Sequence, residues 1–381
     1  MKLFRYIKIK KKNINIKCNK IIKIKNKYMK NIINNLKDHE ITKKLNKLDL
    51  LLYKLIKNNI NLNDSSELSE YFKEYSNEHI ENRINKLKKY MAQLEELKKL
   101  PFVKQRTDEW FELRKNRLTA SDLEDAIKGN NIRLAKKKAG VIRDNVNYNE
   151  IPALKWGTMF ESMASRCYSQ ECGNIDISEF GLIADKNLEH FGASPDGIND
   201  MGIMIEIKCP YSREIIDNSI PEKYFTQIQG QLAVCDLEEC DYIECEFKTF
   251  DSPYVYIDYV VNDLLDINYN HGIIAEYKNK NGEYVYLYSD ENLKASKAFD
   301  NINKKIYENS ENKDLVFIKL TPWILKKINI QRVLFDFENW NNNIKNKIIS
   351  FWEKVEECKN LPIEETIPRK QKIQFINEDD D

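Results

Sequence analysis

The residues best suited to chemistry are Asp196 and, ten and twelve positions later, Glu206 and Lys208. Four of the next six residues are turn formers, Gly197, Asn199, Asp200 and Gly202, so the flanking segments are predicted to form a hairpin with Asp196 at the end of its first strand. Glu206 and Lys208 are two apart, so on a strand their side chains leave from the same face. Because the run 203–207 is otherwise apolar, burying these charges is costly unless they are paired or bound to metal. The spacing predicts three charged groups converging at one end of a sheet.

Two carboxylates and a lysine in this arrangement suit metal-assisted hydrolysis of a phosphodiester bond. Carboxylate oxygens are ligands that Mg²⁺ and Mn²⁺ prefer. A metal ion lowers the pKa of a bound water, from about 15.7 toward about 7 in the best-tuned zinc sites. Lys208 would hold or deprotonate the attacking water and stabilise the pentavalent phosphate. The alternative is a buried Asp–Lys or Glu–Lys pair without chemistry, which this pattern alone leaves open.

Residues on two predicted helices could extend this site. Glu161, in the segment WGTMFE near a predicted helix start, could be a further metal ligand or could simply interact with the helix N-terminus. Tyr224, Gln227 and Gln231 share one helical face. Gln227 could orient the water or Lys208, with Tyr224 beside it, or this face could be the polar side of a surface helix.

Arg114 and Ser121 are candidate phosphate-binding residues. The guanidinium of Arg114 is a planar fork that matches a phosphate. Ser121 offers a hydroxyl at a predicted helix N-terminus, which favours anions. The alternative is an ordinary surface arginine and an ordinary helix cap. The basic run Lys136–Lys138 could contact a DNA backbone or be solvated.

The elements that must position these residues alternate in type along the chain. Helices are predicted near residues 80–100, from a cap at 107 or 108 over residues 110–113, from a cap at 119 or 121 to 127, and at about 156–168 and 221–234. Strand-like runs are predicted at 175–184, 190–194, 202–208, 242–250 and 254–261. Beyond residue 291 the chain is predicted to be mainly helical, with one helical face formed by Ile344, Ile348, Trp352 and Val355. This order predicts a mixed α/β core.

Five segments occur in an order and approximate spacing known from one nuclease family: DEWFELRKNRLTASD, WGTMFES, GASPDGI, IEIKCP and YFTQIQGQLAV. They resemble the phage lambda exonuclease-like, YqaJ-like viral recombinase family of the PD-(D/E)XK nuclease superfamily. The resemblance covers roughly residues 105–250. It implies an α/β (α+β) fold with a restriction-endonuclease-like core, in which helices flank a central mixed sheet, and helical N- and C-terminal extensions.

The resemblance also implies roles for the residues at the centre of the site. Asp196 and Glu206 match metal ligands of the family, and Glu161 matches its upstream glutamate, a further ligand. Lys208 matches the catalytic lysine, and Gln227 matches the helical glutamine. The cofactor implied is Mg²⁺ or Mn²⁺, with two ions.

The same resemblance implies a substrate and a polarity. Arg114 and Ser121 fall where the family holds a terminal 5′-phosphate, and Tyr224 is a further candidate for DNA contact. A Mg²⁺-dependent 5′–3′ exonuclease acting on duplex DNA ends in viral recombination or DNA processing is implied. A single-strand annealing protein is the natural partner, and a homo-oligomer is possible in this family.

Composition, helical periodicity and the resemblance together predict four regions along the chain. These are a basic low-complexity tail at 1–36, a helical extension at 37–100, the nuclease core at 101–290 and a mainly helical region at 291–381. No Asp or Glu precedes Asp38, although the net charge of the whole chain is only +1. The tail could therefore grip nucleic acid or be disordered.

Several other classes of protein are disfavoured. No apolar run is long enough to span a bilayer, and lysines interrupt the N-terminal apolar residues, so neither a membrane protein nor a secreted one is expected. An intracellular location is expected, in the cytoplasm or a viral factory, with a virion as the alternative. The eight cysteines lack a Cys-x-x-Cys pair, which favours structural thiols over an iron–sulfur cluster. The four histidines lack zinc spacing.

Two other functions stay open at this point. One keeps the fold but changes the activity to that of an endonuclease or an RNA-degrading enzyme. The other is a non-catalytic nucleic-acid-binding protein, in which the charges of the hairpin are purely structural.

Overall fold

The computed structural model describes residues 44–59, 72, 75–129, 131–143, 150–262, 270–310 and 312–365. The predicted basic tail of residues 1–36 lies outside them. The helices are α1 Lys44–Lys57, α2 Asn77–Leu97, α3 Asp108–Lys115, α4 Leu123–Ile127, α5 Ile132–Lys138, α6 Pro152–Glu171, α7 Glu222–Cys235, α8 Pro253–Asn262, α9 Ala295–Glu308, α10 Phe337–Asn339 and α11 Lys345–Cys358. The strands are β1 Leu118–Thr119, β2 Ile142–Arg143, β3 Ile177–Ser178, β4 Ile183–Ala184, β5 Phe191–Ala193, β6 Gly197–Asn199, β7 Met204–Lys208, β8 Glu239–Thr249, β9 His271–Asn279, β10 Tyr284–Tyr288, β11 Leu315–Leu334 and β12 Glu364–Glu365.

The chain divides into two compact units. Among the described residues, the first unit takes those up to 99 together with 165–178 and 197–203, and the second takes 100–164, 179–196 and 204–365. The four regions predicted from the sequence are not tested by this division and remain a prediction. Within the described residues, no helix is both long enough and apolar enough to cross a membrane.

The first unit is built around the α1–α2 pair. Asp49, with no exposed side-chain surface, accepts from Arg83 at 2.6 Å, so the charge that α1 buries is matched by α2. The short strands β3 and β6 pair antiparallel. Asn199, at the end of β6, donates to the hydroxyl of Tyr168 at 2.9 Å. This buried side-chain contact ties the strand pair to α6.

The second unit contains the strands that carry the candidate site. Five of them lie in the order β10-β9-β11-β8-β7. The pair β7–β8 is parallel, and the other three pairs are antiparallel. A second sheet in this unit has the order β1-β5-β4. The predicted mixed α/β fold, with helices flanking a central mixed sheet, is confirmed.

The longest strand lies in the region that was predicted to be mainly helical. Strand β11, residues 315–334, pairs with β9 through its first half and with β8 through its second half. Its partners are about 40 to 95 positions away in sequence, so no local pattern identifies them. The predicted helical face farther along the chain is confirmed, because its four members are all buried: Ile344, Ile348, Trp352 and Val355.

One strand prediction was wrong. Residues 254–261, rich in aromatic and β-branched side chains, lie in helix α8. Ser252 accepts from the backbone N–H of Val255 at 3.3 Å, and Pro253 occupies the first helical turn, where its missing N–H is tolerated. Tyr256 and Val260, four residues apart, are buried on one face. Packing of that face overrides the strand propensity.

The turn after β6 gives a test of local packing. Gly202 has φ +76°, and a β-carbon there would lie against the backbone carbonyl of Tyr90, which cannot rotate away. Gly282 has φ +81° with open space around it. We expect Gly202→Ala to lower the free energy of unfolding by roughly 2–4 kcal/mol, the sum of left-handed strain and overpacking. Gly282→Ala, the matched control, should cost only the strain, about 1 kcal/mol. Urea denaturation measures both, and equal losses would show that the Tyr90 contact does not matter.

Candidate active site

The centre of the site is Glu206 on β7. Strand β7 is buried almost throughout, and Glu206 has no exposed surface. The strand pairs in parallel with β8, so that Glu206 lies opposite Tyr242 and Lys208 lies opposite Glu244. Successive strand residues alternate faces, so Glu206 and Lys208 share one face as predicted. Their direct ion pair confirms the shared face.

Three side chains satisfy the buried carboxylate of Glu206. Lys208 donates to Oε1, and Gln227 donates to the same oxygen at 2.7 Å. Gln231 donates to Oε2 at 2.7 Å and to the carbonyl of Ser194 at 3.4 Å. The two glutamines lie one turn apart on α7, so the predicted polar helical face points at β7 rather than at solvent. Gln227 therefore acts on Lys208 through the oxygen that they share.

Asp196 is joined to the same strand through the backbone. It directly precedes β6, rather than ending a strand as predicted, and its Oδ2 accepts from the N–H of Ile207 at 2.7 Å. The amide of Gln105 donates to the carbonyl of Pro195 at 3.1 Å and to that of Phe180 at 2.9 Å. These bonds hold the Asp196 backbone against β7.

The pKa of Asp196 is shifted by its burial and by the neighbouring acids. Burial raises the pKa of Asp196 well above its usual value, and the charges of Glu206 and Glu161 raise it further. Lys208 and the N–H of Ile207 oppose this shift without cancelling it. The three carboxylates therefore repel one another.

Glu161 reaches this site from the middle of α6 and not from near a helix start. The helix begins at Pro152, whose fixed φ suits a first turn, and it continues through Gly157. The helix-terminus role considered for Glu161 is thus removed. Its Oε2 accepts from Arg106 at 2.5 Å. Arg106 has φ +67°, an uncommon conformation for a side chain of this size.

Lys208 is held as a cation. Burial by itself lowers the pKa of Lys208, but the carboxylates of Glu206 and Asp196 outweigh it and keep the pKa above its usual value. The ammonium also lies 4.9 Å from the centre of the Tyr224 ring. Tyr224, predicted to lie beside the site, therefore contacts the lysine directly.

The carboxylate oxygens in this site are the type of ligand that a divalent cation prefers. Oxygen ligands from Asp196, Glu206 and Glu161 are what Mg²⁺ and Mn²⁺ take, and their mutual repulsion is what a dication relieves. Among the residues that the structure describes, however, no three His, Cys, Asp or Glu side chains converge closely enough to hold a metal ion. Protein cations neutralise two of the three carboxylates instead, Lys208 at Glu206 and Arg106 at Glu161.

Arg114 and Ser121 also come together. The Nη2 of Arg114 donates to the hydroxyls of Thr119 and Ser121, at 3.1 Å in both cases. Its guanidinium lies 4.2 Å from the centre of the Trp110 ring, and the Trp110 indole N–H donates to Ser194 at 3.1 Å. The arginine is thus fixed by an aromatic face and two hydroxyls, and it is not an ordinary solvated surface residue.

The acid in this cluster, Asp122, was not among the residues predicted from the motifs. Asp122 accepts from Thr119 at 3.2 Å and pairs with Lys138 at 3.0 Å. Burial raises the pKa of Asp122, but the charges of Lys138 and Arg114 outweigh it and leave the pKa below its usual value. The third lysine of the basic run 136–138 is therefore part of a buried cluster rather than solvated.

This cluster predicts a pH-dependent stability. Because the pKa of Asp122 is lowered on folding, its charge stabilises the protein above about pH 3.9, the unfolded value, and that contribution is lost as the pH falls further. We expect Asp122→Asn to lower the free energy of unfolding by about 1–3 kcal/mol at pH 7, with the deficit shrinking below pH 4. Urea denaturation at both pH values measures it. Asp300→Asn, in an exposed pair with Lys297, is the control and should change little. A deficit independent of pH would contradict the assignment.

Comparison with known proteins places this geometry in context. Residues 109–238 match the YqaJ-like viral recombinase domain. An uncharacterized protein of Acanthamoeba polyphaga mimivirus is 31% identical over an alignment of 183 residues, and the match covers 42% of this chain and 32% of that protein. The chain thus matches about a third of the length of this relative.

Two solved exonucleases are also similar. An alkaline exonuclease from Laribacter hongkongensis has 19% identity and a TM-score of 0.39, and the match covers 66% of this chain and 93% of that one. A phage-related exonuclease from Haemophilus somnus has 12% identity and a TM-score of 0.34, and the match covers 64% and 93%. The match of residues 109–238 to the YqaJ-like viral recombinase domain confirms the resemblance that the five motifs indicated.

Proposed function

We propose that this protein is a metal-dependent nuclease that hydrolyses phosphodiester bonds of DNA. One observation carries the proposal. Glu206 and Lys208 are paired on a buried strand, and Asp196 is bonded to the backbone of the residue between them. A structural ion pair needs one acid and one base, whereas this site adds an acid that raises the local electrostatic cost. The domain match over residues 109–238 adds support.

The proposed metal ligands are Asp196, Glu206 and Glu161, with two Mg²⁺ or Mn²⁺ ions. When bound, such ions lower the pKa of a water and neutralise charge on the phosphodiester. The protein supplies the rest. Gln227 and Gln231 fix the carboxylate of Glu206 through one oxygen each. The backbone N–H of Ile207 fixes Asp196.

Lys208 enters the reaction as an ammonium. Its pKa is held above the ordinary value, so it carries its proton at neutral pH. In this form it donates to the attacking water or to a phosphate oxygen and stabilises the negative charge that develops there. To act as the base, the other role considered from sequence, this ammonium would first have to lose a proton.

For the polarity, we propose digestion of duplex DNA from 5′ ends. The support is the Arg114 cluster, in which a guanidinium is held by Trp110 and two hydroxyls. A guanidinium with free N–H groups is suited to a terminal phosphate. A role in viral recombination or DNA processing, a single-strand annealing partner and a homo-oligomeric form are part of the same proposal.

The catalytic proposal predicts a selective loss of activity. Asp196→Asn removes a proposed ligand but keeps an oxygen that can accept from Ile207. We expect it to slow release of nucleotides from linear duplex DNA with Mg²⁺ by at least about a hundredfold, and to weaken Mn²⁺ binding measured by calorimetry. Asp300→Asn should match the unaltered protein in both assays. Equal activity of Asp196→Asn and the unaltered protein would refute the nuclease assignment, and measurable nucleic-acid binding with no hydrolysis by either would favour a binding protein.

The polarity proposal predicts a dependence on the end group. Duplexes that carry a 5′-phosphate should be degraded faster than 5′-hydroxyl duplexes, by about tenfold or more if one charged hydrogen bond to the phosphate is lost. Arg114→Ala should remove this preference. Gel analysis of end-labelled strands measures both. Cutting of closed circular DNA at a comparable rate would show an endonuclease, and faster degradation of RNA would show an RNA-degrading enzyme.

A further inference from the structure

The loop between β7 and α7, residues 209–221, follows Lys208 directly and carries two groups that the proposed mechanism does not use. These are the aromatic ring of Tyr211 and the guanidinium of Arg213. The loop is anchored beneath them. Ile215 is buried, and Lys327 on β11 donates to its carbonyl at 3.1 Å and pairs with Asp217 at 3.0 Å. Both groups therefore sit on a fixed base beside the site.

Tyr211 is exposed to solvent, but its ring is held by an aromatic contact. It is 55% exposed, while its ring meets that of Trp156 nearly edge-on, with centroids 5.5 Å apart. Trp156 contacts the buried Phe160 at 4.5 Å, and Phe160 stacks on Phe247 at 4.4 Å. The tyrosine is thus the outermost member of an aromatic row that begins in the core. An aromatic ring held rigidly in solvent can stack on a nucleobase at little entropic cost.

Arg213 is positioned by one contact at each of its two terminal nitrogens. Its Nη2 pairs with Glu244, which is buried on β8 opposite Lys208, and its Nη1 donates to the carbonyl of Glu214 at 3.1 Å. Its guanidinium lies 5.9 Å from the centre of the Tyr224 ring, the ring that Lys208 also approaches. An arginine has five N–H donors, and the side chain of Arg213 is 39% exposed. Donors remain to bind an anion beside Lys208.

We propose that this loop holds the DNA strand being cut, with Tyr211 stacking on a base next to the scissile phosphodiester and Arg213 contacting an adjacent phosphate. The inference rests on the proposed nuclease function and names its substrate contacts. An aromatic platform with a cation beside it matches a single strand, whose bases expose their faces, better than a paired duplex.

Binding without cleavage tests the proposal. The full chain, with EDTA, is titrated with a duplex that has a short 5′ single-stranded end containing 2-aminopurine, at several salt concentrations. Tyr211→Ala should weaken binding by about tenfold and abolish quenching of the 2-aminopurine, whereas Tyr211→Phe should keep both. Arg213→Ala should lower the slope of log affinity against log salt by about 0.7, the value for one single-strand phosphate contact, whereas Arg213→Lys should keep the slope.

Matched controls lie on α9. Tyr307, 79% exposed, and Lys305, paired with Asp290 at 2.5 Å, should each tolerate replacement by Ala without change in quenching or slope. Thermal denaturation of every variant shows whether it is folded. If the unaltered protein cleaves DNA but Tyr211→Ala and Arg213→Ala bind as it does, this inference is overturned and the nuclease proposal stands. If the unaltered protein neither binds nor cleaves DNA, both fail.

Discussion

The constraint on which the site depends is the burial of one ionised carboxylate. Glu206 has no exposed surface and lies in a strand of apolar residues, where an uncompensated charge would cost several kcal/mol or more. Compensation comes from Lys208 on the same strand and from Gln227 and Gln231 on α7. Helix α7 must therefore lie over β7 with this face inward. The close approach of Gly230 to Phe191 and Leu123 shows how tightly its other side is packed.

Two other features of the site carry an energetic cost, the repulsion at Asp196 and the backbone conformation of Arg106. Burial and the charges of two other acids raise the pKa of Asp196, and its one backbone hydrogen bond, from Ile207, opposes this without cancelling it. Arg106, which neutralises Glu161, adopts a left-handed backbone conformation that is unfavourable for a large side chain. Both features lower stability locally. Such costs are retained where a site must bind something that is not part of the chain, and the divalent cation proposed above would offset them.

The rest of the second unit keeps β7 and its neighbours in place. Strand β8 lies between β7 and β11, and Arg332 on β11 pairs with Glu239 and Asp241 on β8. These ion pairs are buried, so the first residues of β8 are fixed by side chains as well as by backbone pairing. Glu244, which orients Arg213, belongs to the same strand. Residues far beyond 238, where the domain match ends, thus support the site mechanically.

The sequence by itself determined which side chains share a face. A strand period of two fixed Glu206 and Lys208 together, and the helical period fixed Gln227 and Gln231 together. Only the tertiary structure decided the partners that meet across elements: Arg106 with Glu161, Arg213 with Glu244 and Lys138 with Asp122. It also decided that residues 254–261 form a helix and that 315–334 form a strand. Periodicity encodes the direction of a side chain along one element, whereas a contact between elements depends on packing that distant residues set jointly.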